Sequence, residues 1–236
     1  MIWKDAWWLS KKALQKFWIG NIPIWLMTFL LLNPIFQIRL FDIHLTSNIG
    51  VNFIVFFFDT LVLISIALLP AQLIMNKHLD FIRYSYRKEF YFLHTMPLNS
   101  QSILLSRLIY MNIAMIFIYG ISIPILYDVY HPNHFTLTGV ILLVFIFMGL
   151  SMLVIGPILY WTIFSSQNII WICIGYITGL TLLLSSLQSI FSFYFLGKVR
   201  YWIEEQQVLY PICILLLGYL ILFGWFMIIQ SKWKKI

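Results

Sequence analysis

The sequence predicts an all-α fold, a polytopic membrane protein with six transmembrane helices and an N-terminal amphipathic interfacial helix. Three observations carry that prediction. Hydrophobic residues make up 62% of the chain and charged ones 10%, for a mean hydropathy of +0.92, which leaves more apolar surface than a water-soluble domain can hide. The apolar residues gather into runs of about 20 or more, the length a helix rising ~1.5 Å per residue needs to cross ~30 Å of hydrocarbon. These runs are continuous rather than alternating in ten-residue segments, which excludes an outer-membrane β-barrel.

The first element is the interfacial helix, residues 2–16, at the head of IWKDAWWLSKKALQKFW. On a wheel of about 100° per residue, Lys4, Asp5, Lys11, Lys12, Gln15 and Lys16 share one half with Trp8. Ile2, Trp3, Ala6, Trp7, Leu9, Ala13, Leu14, Phe17 and Trp18 share the other. Such a helix is expected to lie as an elbow in the membrane surface, tryptophans at headgroup level and lysines toward anionic lipid and cytoplasm. Six apolar runs follow, at 17–36, 51–75, 103–127, 137–163, 168–190 and 208–229. A long connection, 76–102, separates the second from the third. Before the last run, SFYFLGKVRYWIEEQQ begins apolar but is too short to cross, so an interfacial or partly re-entrant segment is expected there. No repeat or soluble domain interrupts the chain, and residues 1–236 read as one transmembrane domain.

The net charge of +7 is explained by its distribution. With the N-terminus in the cytoplasm, twelve of the fifteen basic residues fall on that side, and only Arg39, Lys198 and Arg200 fall outside. The positive-inside rule then puts both termini in the cytoplasm, and nucleic acid is not needed to account for the charge. Cys173 and Cys213 fall inside spans and read as small buried hydrophobes. The N-terminus lacks a cleavable signal pattern and reads as retained.

Catalytic patterns are scarce. No G-x-x-x-x-G-K-[ST] loop occurs, so the chain has no ATP site of its own, and neither G-x-S-x-G nor H-E-x-x-H is present. Glu204-Glu205 lies outside a span, unlike the paired glutamates of an intramembrane protease. His131-Pro-Asn-His134 has two potential ligands but sits in turn chemistry without a third. Asp59 is the one acid deep in a span. Its burial is costly, so it is expected to face the bundle interior or a wet cavity, either as a pathway residue or as a carboxyl satisfied by Thr60, Ser65 or another helix. Six prolines, Pro23, Pro34, Pro70, Pro124, Pro157 and Pro211, allow kinks in the spans.

The 76–102 connection mixes bases with His, Phe and Tyr and ends in Met96-Pro97-Leu98-Asn99-Ser100-Gln101, followed by Ile103-Leu104-Leu105-Ser106-Arg107. Proline discourages helix before it, and Asn99 or Ser100 can cap the helix that follows. In this stretch and in its overall layout the chain resembles the permease subunits of ABC-2-type ABC transporters. Such permeases carry a Leu-Pro-x-Ser/Thr-Arg-like turn before the third span. Met96 stands here for the usual Leu and Gln101 for a common base.

The resemblance implies that Pro97 to Ser102 form a coupling helix seated on a separate ATP-binding subunit, with Met96 and Arg107 beside it. Ser165, Ser166, Gln167 and Asn168 would make a second cytoplasmic contact, and Asp59 would lie near the transport path. It further implies a bacterial plasma-membrane exporter that is no enzyme itself. ATP and Mg would be held by the partner ATPase, and a second permease copy would complete a homo- or heterodimer. The cargo expected is an amphipathic peptide, toxin or other hydrophobic compound, with peptide export or antibiotic resistance as its setting. The readings left open are an intramembrane enzyme, or a sensor or scaffold that uses the 76–102 loop to hold another cytoplasmic partner.

Overall fold

The computed structural model describes residues 2–17, 52–57, 59–61, 63–64, 67–68, 99–130, 136–164, 167–191 and 195–233. Among these the regular structure is entirely helical: α1 (Ile2–Phe17), α2 (Ser100–Tyr130), α3 (Leu137–Phe164), α4 (Gln167–Ile190), α5 (Phe195–Glu204) and α6 (Leu209–Trp233). Helices α2, α3, α4 and α6 are long and apolar enough to cross a membrane, over Gln101–Ile121, Leu137–Tyr160, Trp171–Ile190 and Leu209–Trp233. The chain is a helical membrane protein. These four are the third to sixth apolar runs of the sequence. The first run lies outside the described residues beyond Phe17, and of the second the structure describes an apolar helix, Asn52–Leu61, with short helical pieces after it.

Local chemistry sets the ends of these helices. Asn99 caps α2, its Oδ1 accepting from the Gln101 N–H at 3.1 Å while its carbonyl accepts from the Ser102 N–H at 2.8 Å. Thr136 does the same for α3, its hydroxyl oxygen accepting from the Gly139 N–H at 3.2 Å. Pro211 falls in the first turn of α6, where a missing N–H breaks no helical bond. The apolar segment before α6 is resolved as α5, a ten-residue helix too short to cross. It lies on α3, with Val199, Trp202 and Ile203 packed around Ile146.

Helix α3 is the hub. It touches α2, α4, α5 and α6, and every residue from 151 to 160 is buried. Its closest neighbour is α6, and the two run parallel, because their contacts advance together: Gly149 against Ile214 and Gly218, Gly156 against Trp225, Tyr160 against Lys232. Glycine is required at this crossing. A Cβ on Gly149 would come within 2.7 Å of the Ile214 carbonyl oxygen, and one on Gly218 would run into the Gly149 carbonyl. Opposite Gly156, the ring of Trp225 fills the missing side chain's place, flanked by Tyr160 at 5.9 Å and Tyr176 at 5.6 Å between ring centres.

Polar contacts fasten the other helices to this pair. The Ser151 hydroxyl donates back to the Phe147 carbonyl at 2.8 Å, so Tyr119 of α2 donates its own proton to Ser151 at 2.7 Å. Asn112 of α2 accepts from Tyr219 of α6. Helix α4 closes a gap inside α3. Pro157 has no N–H to offer the Leu153 carbonyl, and the Tyr176 hydroxyl supplies that bond at 3.1 Å. Cys173 is buried and donates to the Pro157 carbonyl at 3.0 Å. Cys213, expected buried, is instead exposed on α6, where the buried residues fall on one stripe, Pro211, Gly218, Leu222, Ile229 and Trp233, that leaves Cys213 outside it.

Candidate functional site

Three places draw together the residues with functional potential. The first is the start of α2. Met96, Pro97 and Leu98 lie outside the described residues, as do Ser165 and Ser166; Gln167 and Asn168 open α4. Ser100, Gln101 and Ser102 are the first turn of α2 itself, so this half of the expected Pro97–Ser102 helix is continuous with the span and not a separate element. The reason is the Asn99 cap, which starts a helix whose apolar text runs on without a break. Asn99 and Gln101 are exposed and Arg107 is half-buried. Ser102 is fully buried, and its hydroxyl has no hydrogen-bond partner among the described residues.

The second place is the seat of α1 on α2. Ala6 and Ser10 are buried to 0% and 1% exposure, with Leu9 and Leu14 beside them against the main core. The Ser10 hydroxyl lies 2.7 Å from the Ala6 carbonyl and 2.9 Å from the Ser106 carbonyl of α2, its one proton shared between them. Trp3, Trp7 and Trp8 are exposed, as are Lys4 and Lys11. Among the described residues the apolar half of the wheel is thereby divided, with Ala6, Leu9 and Leu14 against the core and Trp3 and Trp7 left outside. Sequence reasoning assigned Ser10 to neither half. The signal was present, since Ala6 and Ser10 are two small residues four apart, the spacing that lets helices approach.

The third place is a polar stripe at the other end of the bundle. Thr181, Ser185, Gln188 and Ser189 of α4 are all buried, while Trp171, Leu183 and Leu187 of the same helix are exposed. The Thr181 and Ser185 hydroxyls are turned back on their own helix, to the Ile177 and Thr181 carbonyls at 2.8 and 2.6 Å. Gln188 reaches outward from α4. Its Nε2 donates to the Thr60 hydroxyl at 2.9 Å and its Oε1 accepts from the Phe195 N–H of α5 at 3.1 Å. One amide thus ties the second apolar run, α4 and α5 together.

Asp59, at 1% exposure beside Thr60, is buried in this region, as the cost of a carboxylate in hydrocarbon requires. Because α4 runs antiparallel to α3, the Gln188 end lies opposite the start of α2, and the structure does not bring Asp59 together with the Asn99–Arg107 segment. The spacing of 181, 185 and 188 is helical, so this stripe too was readable, though the sequence reading named only Asp59 with Thr60 and Ser65.

What these groups can do is hydrogen-bond and hold charge. Glu204 and Glu205 are exposed at the end of α5. His131 and His134 lie outside the described residues. Among the described residues no three His, Cys, Asp or Glu side chains gather as a metal site. No protein-family description, curated protein or solved structure matches this chain significantly.

Proposed function

We propose that the chain is the transmembrane permease subunit of an ATP-driven exporter of the ABC-2 type. The observation that carries this reading is the start of α2. The sequence Met96-Pro97-Leu98 is followed at once by a capped helix that continues as a candidate membrane span, with Asn99 and Gln101 exposed. A short capped end rigidly joined to a span is what a lever needs, since a push on it moves the whole helix. A separate ATPase subunit carrying ATP and Mg would grip residues 96–102, with Gln167 and Asn168 offering a second contact. Two permease copies would then rock between inward-open and outward-open states.

In this reading six spans cross a bacterial plasma membrane with both termini in the cytoplasm, as the distribution of Lys and Arg favours. Helix α1 lies in the cytoplasmic interface. The inward-turned stripe of α4, with Asp59 and Thr60, would face an amphipathic cargo such as a peptide or toxin: hydroxyls and one acid in an otherwise apolar wall suit a compound with both kinds of surface. Export of such compounds would serve secretion or resistance.

The test is co-expression with a candidate ATPase, measuring copurification and ATP turnover. Leu98→Asp and Ser100→Trp are expected to lower both while the permease still inserts. No copurification, or indifference to both substitutions, sinks the exporter reading. For Asp59, transport by Asp59→Asn equal to the parent across pH would make it a structural residue.

A further inference from the structure

We propose that α1 is a clasp through which anionic lipid headgroups steady the start of α2, the occupant of its exposed face being the charged surface of the bilayer the bundle spans. The inference rests on the interfacial placement of α1 given above and needs neither ATP nor a transported compound.

Two faces of one helix carry it. At about 100° per residue, Ala6, Leu9, Ser10 and Leu14 fall toward α2 over an arc that also holds Trp3, at the free end of the helix, and Trp7, Lys11, Lys4 and Trp8 follow around it. These tryptophans and lysines are all exposed, the tryptophans by 69%, 55% and 51% for Trp3, Trp7 and Trp8. Three indoles exposed by half or more would put an apolar surface in water. A protein partner fits poorly, because lysine is depleted where interfaces bury tryptophan. Indoles interleaved with ammonium groups are instead the composition of a headgroup layer, where the ring is half-wet and the amine meets phosphate.

Position agrees. Ser10 is bonded to the Ser106 carbonyl, about 9 Å of helix rise from the first residue of α2, so α1 is packed against the first turns of a candidate membrane span that begins at Gln101.

The consequence follows from the bond itself. Ser10 holds a backbone carbonyl of α2, not a mobile side-chain tip, so whatever fixes α1 fixes the first turns of α2 as well. Each lysine near an anionic surface weights binding about five-fold, and Lys4 and Lys11 together about twenty-five-fold. Membrane charge thereby sets how firmly the segment from Asn99 to Arg107 is held.

The test is backbone hydrogen exchange on the full chain, reconstituted in vesicles of phosphatidylcholine alone or with about a quarter phosphatidylglycerol. Amides of α1 and of Asn99 to Arg107 are expected to exchange roughly ten-fold or more slowly in the anionic vesicles. The double variant Lys4→Glu, Lys11→Glu should lose that difference, whereas Lys198→Glu at the other end of the bundle should keep it. Ser10→Ala, which keeps the small contact and drops the bond, should leave α1 protected by phosphatidylglycerol while α2 no longer responds.

Equal protection of α1 in both vesicles would overturn the charge coupling yet leave α1 at the interface; no protection in either overturns both. Protection of α1 only on adding a soluble protein makes the occupant a protein and ends the proposal. An equal response of α2 in Ser10→Ala removes the clasp.

Discussion

Helices α3 and α6 are equally apolar and run side by side in the same direction, yet 72% of the crossing segment of one is buried and only 17% of the other. Hydropathy therefore reports that a helix crosses and says nothing of whether protein or lipid surrounds it, since both are apolar. What separates the two is small and polar residues. Helix α3 carries Gly149, Ser151 and Gly156 on faces turned to α6 and α2, and Pro157 mended from α4. Helix α6 touches the bundle along one stripe, Pro211, Gly218, Leu222, Ile229 and Trp233, at alternating steps of seven and four.

The sharpest way to break this comparison is at the glycine crossing. Gly218→Leu would drive a side chain into the backbone of α3, which cannot step aside as a flexible side chain could. We expect a loss of about 3 kcal/mol or more, read as a lower melting temperature in detergent. A Cβ on Gly224 of the same helix, which is exposed, meets nothing within 4 Å, and Gly224→Leu should change stability by less than about 0.5 kcal/mol. Equal effects from the two would mean that α6 is not seated on α3 through this stripe. Gly175→Ala and Gly179→Ala on α4, where a Cβ also meets nothing within 4 Å, should be as mild as Gly224→Leu.

A middle-sized effect tests how α3 remains helical at its proline. Tyr176→Phe removes the donor that serves the Leu153 carbonyl and should cost about 1 to 2 kcal/mol. Pro157→Ala restores the backbone N–H for that carbonyl. In the Pro157→Ala background, therefore, Tyr176→Phe should cost almost nothing. A double-mutant cycle in which the two costs simply add would show that the hydroxyl stabilises something other than the kink.

The crossing segments were legible because a span leaves a signal about 20 residues long that no local detail can erase. The third to sixth apolar runs reappear as α2, α3, α4 and α6 with ends shifted by a few residues, and the inward placement of Asp59 followed from its charge alone. The candidate site was less legible. The cap at Asn99 was one of two options, and its consequence, that Ser100 to Ser102 join the span, depends on which residue wins. Ser10 and Gln188 act through partners 96 and 128 residues away, and no periodicity within one helix names a partner on another. Cys213 was misplaced for a related reason: an apolar helix offers no polar face to say which side meets lipid.

The smallest effect concerns how the chain turns from α5 into α6, which sets the angle at which α6 presents its one stripe. Helix α5 ends in a double closure, with the Gln207 N–H donating to the Trp202 carbonyl at 2.8 Å and the Gln206 N–H to the Ile203 carbonyl at 3.2 Å. The motif needs a left-handed residue between them, and Gln206 takes it at φ 51°. A side chain in that conformation costs about 1 to 2 kcal/mol, while glycine would enlarge the unfolded ensemble by about 0.4 to 1 kcal/mol. Gln206→Gly should accordingly stabilise the protein by about 0.5 kcal/mol, and Gln206→Val, branched at Cβ, should destabilise it by more than that. Both changes are readable in the melting temperature of the reconstituted chain. If Gly218→Leu is made in the same background, the gain from Gln206→Gly should shrink, because a better-aimed α6 then meets a seat that no longer admits it. Full additivity would mean that the turn and the glycine crossing act independently, and that α6 finds its stripe without guidance from α5.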